Sequence, residues 1–171
     1  MATPSGPTIP GKKPSQLPPV KVIETIKKVM AELEHLSEQR GVEVELARSF
    51  EEAQVGGTAQ GLIEALQNLI WNAMEASKPG GMVRISVHER GDNVVIDISD
   101  DGSGIPREHV SKIFQPGYTT KKGSAGMGLN VVERRLGEMY GSVVWQSPLS
   151  HGHGSRFTLT LPTVPTTPDV V

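Results

Sequence analysis

Asp100-Asp101-Gly102-Ser103-Gly104-Ile105 closes an alternating apolar run, and upstream of it Asn68 and Asn72 stand four residues apart in a segment of helical period. In Val94-Val95-Ile96-Asp97-Ile98-Ser99-Asp100 the side chains alternate between the faces of a strand, so Asp100 shares a face with Val94, Ile96 and Ile98. A carboxylate on an apolar face is costly unless a donor satisfies it. The glycines after it let a flat ligand approach the backbone, and the amino group of an adenine is a suitable donor. The same residues also make an ordinary strand-ending turn, since Asp and Gly are common there.

Asn68 and Asn72 fall one helical turn apart, beside an apolar arc of Leu62, Ile63, Leu66, Leu69, Ile70 and Ala73. Ala65 and Ala76 lie between arc and amides and leave room for a ligand. An amide oxygen is a hard ligand suited to Mg²⁺, which also takes phosphate oxygens; two solvated surface asparagines have the same spacing. Gly123-Ser124-Ala125-Gly126-Met127-Gly128-Leu129 opens another periodic segment. Backbone N–H groups at a helix start bind phosphate, although such a loop also serves as a plain helix entry.

These residues need elements to hold them. Val22, Ile23, Ile26, Val29, Met30, Leu33 and Leu36 predict a first helix that Gly41 can end. Residues 42–46 alternate as a short strand, and Gly56-Gly57-Thr58 leads into a second helix stopped near Ser77 by Lys78-Pro79-Gly80-Gly81. Residues 82–88 and 94–100 flank Gly91-Asp92-Asn93 as an antiparallel hairpin. A third helix over 127–139 and strands over 142–146 and 156–161 complete the order. That order predicts an α/β (α+β) two-layer sandwich, with three main helices on one face of a mixed, mostly antiparallel sheet. Six of the thirteen prolines lie in residues 1–19, so that segment and the tail 163–171 are expected to be disordered, with the domain over 20–162.

Composition narrows the function. With 17 basic and 19 acidic residues among 171, no polyanion-binding field exists and no nucleic-acid contact is expected. The lack of cysteine excludes disulfides and thiolate metal sites and is compatible with the cytoplasm, the expected location. No apolar run approaches the roughly 18 residues of a membrane span, and the opening residues are no signal peptide, so a soluble chain without membrane contact is expected.

Taken together, the motifs resemble those of the GHKL ATPase superfamily. Residues 66–76, with Asn68 and Asn72, resemble its N box, and Asp100 to Ile105 its first glycine box. Lys112-Ile113-Phe114-Gln115-Pro116-Gly117-Tyr118-Thr119-Thr120-Lys121 is similar to the phenylalanine box, Gly126-Met127-Gly128-Leu129 to the second glycine box, and Gly152-His153-Gly154-Ser155-Arg156-Phe157 to the turn before the last strand. The resemblance covers about residues 20–162 and is greatest to the catalytic ATP-binding domain of bacterial sensor histidine kinases of the nitrogen-regulation type. It implies the Bergerat fold, with ATP and Mg²⁺ as ligands. By that resemblance Asp100 accepts from the adenine amino group, Gly102, Gly104 and Ile105 line the base pocket, Asn72 ligates Mg²⁺ and Asn68 supports metal or phosphates. Gly126, Met127, Gly128 and Leu129 present backbone to the phosphates. Residues 114–124 form a lid, with Phe114, Thr119, Thr120 and Lys121 as contacts.

Hydrolytic members of that superfamily carry a glutamate one turn before the metal-binding asparagine, where this chain has Asn68. A neutral amide is no general base, so transfer to a better nucleophile than water is expected. In kinases of this type the nucleophile is a histidine followed by an acidic residue and then a proline, and none of His35, His88, His109, His151 and His153 has that context. The partners implied are a histidine-bearing dimerisation domain, either elsewhere in a longer sensor or acted on in trans, and a downstream response regulator. A nucleotide-binding regulatory module or an anti-sigma-type serine kinase is the alternative; a gyrase-like conformational ATPase is disfavoured by Asn68. His151 and His153, one glycine apart, lack further ligands nearby and read as loop residues.

Overall fold

The elements run β1 (Pro19–Lys21), α1 (Val22–Arg40), β2 (Glu43–Arg48), β3 (Gln54–Gly56), α2 (Ala59–Ala76), β4 (Met82–Arg90), β5 (Asn93–Asp100), α3 (Gly128–Glu138), β6 (Ser142–Gln146) and β7 (Ser155–Pro162). The structure, a computed structural model, describes residues 13–118, 128–149 and 152–164. Helix α1 buries Val22, Ile23, Ile26, Val29 and Leu33, and Gly41 ends it at φ 63°. Thr58 caps α2 by accepting from the Gly61 N–H at 3.1 Å, a bond worth about 1 kcal/mol. The arc Leu62, Ile63, Leu66, Leu69, Ile70 and Ala73 is buried, so α2 is the central helix, touching α1, α3, β4 and β5.

One five-stranded sheet has the order β2-β4-β5-β7-β6. Among the described residues its one parallel pairing is β2 with β4, so the sheet is mixed and mostly antiparallel, with the helices over its buried face. Val83, Ile85 and Val87 on β4, Ile96 and Ile98 on β5, and Leu159 and Leu161 on β7 meet α2 and α3 in one core. The opposite face is polar: Arg84 pairs with Glu45 at 3.4 Å, and Thr158 donates to Asp97, whose other oxygen lies 3.9 Å from His88 Nδ1.

The expected helices and the five strands of the sheet are all present; the hairpin strands extend to Arg90 and begin at Asn93. A second, two-stranded ribbon of β1 and β3 was not anticipated, because three residues are too few to display alternation. Expected domain edges at residues 20 and 162 leave out chain that packs here. Pro14–Gln16 form a 3₁₀ turn against Gly56, the Gly57 N–H donates to Pro18 O at 2.9 Å, and Val164, buried, donates its N–H to Gln54 O at 3.2 Å. The ribbon supplies backbone partners that a proline-rich composition alone does not reveal.

Candidate functional site

Asp100 ends β5 on the side of Ile96 and Ile98 and is only 6% exposed. One carboxylate oxygen accepts from the Gly102 N–H at 2.9 Å, and the Ser155 N–H is a second donor. Burial nevertheless pushes the acid up to about 6, against the opposing pull of those two N–H groups, with the charge of Asp101 adding to the rise. Asp101 itself points the other way, accepting from the Met82 N–H at 3.2 Å and fastening the loop to the start of β4. Of two adjacent acids, one closes the fold and one faces inward.

The loop after Asp100 runs against α2. A Cβ on Gly102 would stand 2.3 Å from the Ala76 carbonyl oxygen, so no side chain fits, and the Ser103 N–H reaches that oxygen at 3.4 Å. Gly104, at φ 78°, turns the chain toward Ile105, which is half-buried against the core. The turn before β7 packs beneath: the Gly154 N–H donates to Gly102 O at 2.8 Å, and a Cβ on Gly154 would come within 2.4 Å of Asp100 O.

Asn68 and Asn72 project half-buried from α2. The Asn68 amide donates to Glu64 O at 2.7 Å, which leaves its Oδ1 directed at the first residue of α3. There a Cβ on Gly128 would lie 3.1 Å from Asn68 Oδ1 and 3.6 Å from Asn72 Nδ2. Glycine therefore brings the first described residue of α3 close to two amides, and an amide oxygen beside a helix start is an arrangement of the kind that suits Mg²⁺ and phosphate.

Helices α2 and α3 are held at this spacing by Arg135, whose Nε donates to Glu64 at 2.7 Å and whose Nη1 donates to Glu138 at 2.9 Å. The hydrogen bond from Arg135, with one from Gln60, lowers the Glu64 pKa, and the Arg135 pKa is raised in return, first by Glu64 and then by Glu138. The carboxylate one turn before Asn68 is thus engaged in holding α3.

Asp100, Gly102, Gly104 and Ile105 form one cluster and Asn68, Asn72 and Gly128 a second, joined by the contact of Gly102 with Ala76. Phe114 packs half-buried against the core and its carbonyl accepts from Asn130 Nδ2 at 3.5 Å; Leu129 follows Gly128 in α3, half-buried. Thr119, Thr120, Lys121, Gly126 and Met127 lie outside the described residues. A groove of about 540 Å³ between α1 and β2, lined by Met30, Glu34, Glu38, Val42 and Val44 among others, shares no residue with either cluster. Sequence reading missed Ser147, whose hydroxyl accepts from the Ile105 N–H at 2.7 Å, and the Glu64–Arg135 pair; neither belongs to a motif or a period that would single it out.

Residues 57–165 match the family described as histidine kinase-, DNA gyrase B-, and HSP90-like ATPase. Sporulation kinase C of Bacillus subtilis is 33% identical over 120 residues, which cover 68% of this chain but only 28% of that protein. The structure of a mycobacterial sensor histidine kinase, MprB, superposes with a TM-score of 0.73 at 27% identity, covering 87% of this chain and 99% of that one. Histidine kinase ThkA, solved in complex with the response regulator protein TrrA, is similar in fold at a TM-score of 0.69 and 21% identity, with 88% of this chain and 42% of that one covered.

Proposed function

The chain belongs to the histidine kinase-, DNA gyrase B- and HSP90-like ATPase family, and we propose that it is the catalytic ATP-binding part of a sensor histidine kinase, transferring the γ-phosphoryl group of ATP to a histidine on a separate dimerisation domain. The observation that carries this reading is Asp100, a buried carboxylate at the end of β5 that accepts from the backbone N–H groups of Gly102 and Ser155. Such an acid is poised to accept from an amino group, and the adenine amino group is the donor assigned to it. Gly102, Gly104 and Ile105 line the base. Asn72 holds Mg²⁺, Asn68 supports the metal or phosphates, and Gly126, Met127, Gly128 and Leu129 offer backbone to the phosphates. Phe114, Thr119, Thr120 and Lys121 contribute from the lid.

When bound, Mg²⁺ supplies charge neutralisation at the phosphates. The chain's own contribution is to orient the nucleotide between β5 and α2 and to keep a base away from water. Asn68 is neutral, and Glu64 is occupied by Arg135, so neither activates water well. The γ-phosphoryl group is thereby reserved for an imidazole nitrogen, with the bond to the departing ADP breaking as the N–P bond forms. None of the five histidines of this chain has the acidic residue and proline after it, which supports an acceptor outside the sequence. The response regulator bound to ThkA supports a regulator as the downstream partner. A cytoplasmic location belongs to the same reading; among the described residues no helix is long and apolar enough to cross a membrane.

Calorimetry with ADP and a non-hydrolysable ATP analogue, with and without Mg²⁺, should give saturable uptake strengthened by the metal. Radiolabelled ATP with a cognate dimerisation domain should then yield an acid-labile label on that domain. An acid-stable label on a small protein partner would instead identify a serine kinase, and absence of nucleotide uptake would remove the reading.

A further inference from the structure

Ser147 sits just past the end of β6, next to the last β6–β7 pair, Gln146 with Arg156. A serine hydroxyl has one proton to give and two lone pairs, and here all three are used. It donates to Gly154 O at 3.1 Å, and it accepts the Ile105 N–H at 2.7 Å and the Ser155 hydroxyl at 3.2 Å. Its partners belong to the two segments that enclose Asp100. The first glycine loop contributes the Gly102 N–H to the carboxylate, and Ser155, the first residue of β7 after the turn, contributes its N–H. Gly104 makes room for this arrangement, because a Cβ there would stand 3.0 Å from Ser147 Oγ.

We propose that Ser147 is a positioning residue of the base pocket: its hydroxyl locks the first glycine loop to the turn before β7 around Asp100 and thereby sets the preference for adenine over guanine. The inference rests on the nucleotide reading above and adds a residue to it. Adenine presents an amino group to the carboxylate, whereas guanine presents a carbonyl oxygen, and two acceptors face to face repel. A site built to hydrogen-bond its ligand rejects an analogue without the matching group only while its own polar atom is held in place. A strand end anchored in the five-stranded sheet is a firmer support for that atom than either glycine-rich segment alone.

The test uses the full 171-residue chain, its Ser147→Ala and Ser147→Thr variants, and competition of ADP and GDP against a fluorescent ADP, beside thermal melting. Ser147→Ala should weaken ADP binding about ten-fold, the scale on which one or two neutral hydrogen bonds count, and should weaken GDP by clearly less, so that the ratio narrows. Ser147→Thr keeps the hydroxyl and should restore ADP binding to within about two-fold. Equal weakening of both nucleotides with a lowered melting temperature, an unchanged ratio, or failure of the threonine to rescue would each overturn the assignment. If the parent chain takes up no ADP, the nucleotide reading falls and this inference with it; if the parent binds and discriminates but Ser147→Ala does so equally, only the inference falls.

Discussion

Asp100→Asn should remove a pH dependence of folding stability that the parent chain carries. In the folded domain the acid is pushed from 3.8 to about 6, chiefly by burial. Below pH 3.8 it is protonated whether the chain is folded or not, and folding suffers no penalty from it. As pH rises through 6 the unfolded chain ionises readily while the folded one resists, so stability is lost over that window and levels off above it. At 1.36 kcal/mol per pKa unit the full penalty is about 3 kcal/mol; it is about 1 kcal/mol at pH 4.5 and about 3 kcal/mol at pH 7.5. Nucleotide-free parent protein should therefore lose about 2 kcal/mol relative to the asparagine variant between those two conditions. Constant terms, such as the variant's amide facing the Ser155 N–H, cancel because they do not titrate. Urea unfolding of both proteins across the window measures the difference directly. Curves that stay parallel to within about 0.5 kcal/mol would refute the claim that burial of the Asp100 carboxylate outweighs its two N–H partners.

The same titration acts on binding with the opposite sign, since an adenine amino group needs the ionised acid: ADP affinity should fall about four-fold between pH 7.5 and pH 5.5, read by calorimetry. Gly102→Ala places a methyl group 2.3 Å from the Ala76 carbonyl oxygen, which cannot rotate away, so the loop must leave α2; a stability loss of about 1–3 kcal/mol in urea unfolding is expected, together with weaker ADP binding. Asn72→Ala should leave metal-free ADP binding within about two-fold and abolish most of the strengthening that Mg²⁺ gives to an ATP analogue, measured as the ratio of the two dissociation constants.

What was legible in the sequence was what repeats at short range. The period of α2 gave its buried arc and set Asn68 and Asn72 beside it, and alternation along β5 put Asp100 on the face where it is found, 6% exposed. Long-range closures were not legible. Ser147 meets Ile105 across 42 residues and Arg135 meets Glu64 across 71, and no local pattern marks either residue. The β1–β3 ribbon escaped for a different reason: its register pairs Pro19 with Gly56, two residues that speak against strand when read alone. The glycines were visible as motif letters, but the carbonyl oxygen that leaves Gly102 no room for a Cβ, and the close approach of Gly128 to the Asn68 amide, need the packed helices.

On the proposed reading α2 serves as the ruler of the site. Ala76 near its end meets the loop that carries the base-reading acid, and Asn72 and Asn68 lie one and two turns earlier, where Gly128 brings in the start of α3. At 1.5 Å per residue the helix separates Ala76 from Asn68 by about 12 Å, a distance along which a nucleotide can lie with its base at one end and its phosphates at the other. The Gly102 end of that span is set by a backbone carbonyl that leaves no room for a side chain, and the Gly128 end by a close approach to the Asn68 amide, 3.1 Å from where a Cβ would stand. The buried face of α2, with Leu62, Leu66, Leu69 and Ile70 at no more than 1% exposure, fixes the ruler to the sheet and hence to β5. Core and site are therefore two sides of one helix, and a core substitution such as Leu66→Ala, expected to cost about 2–5 kcal/mol, would disturb the alignment of acid and amides without touching either.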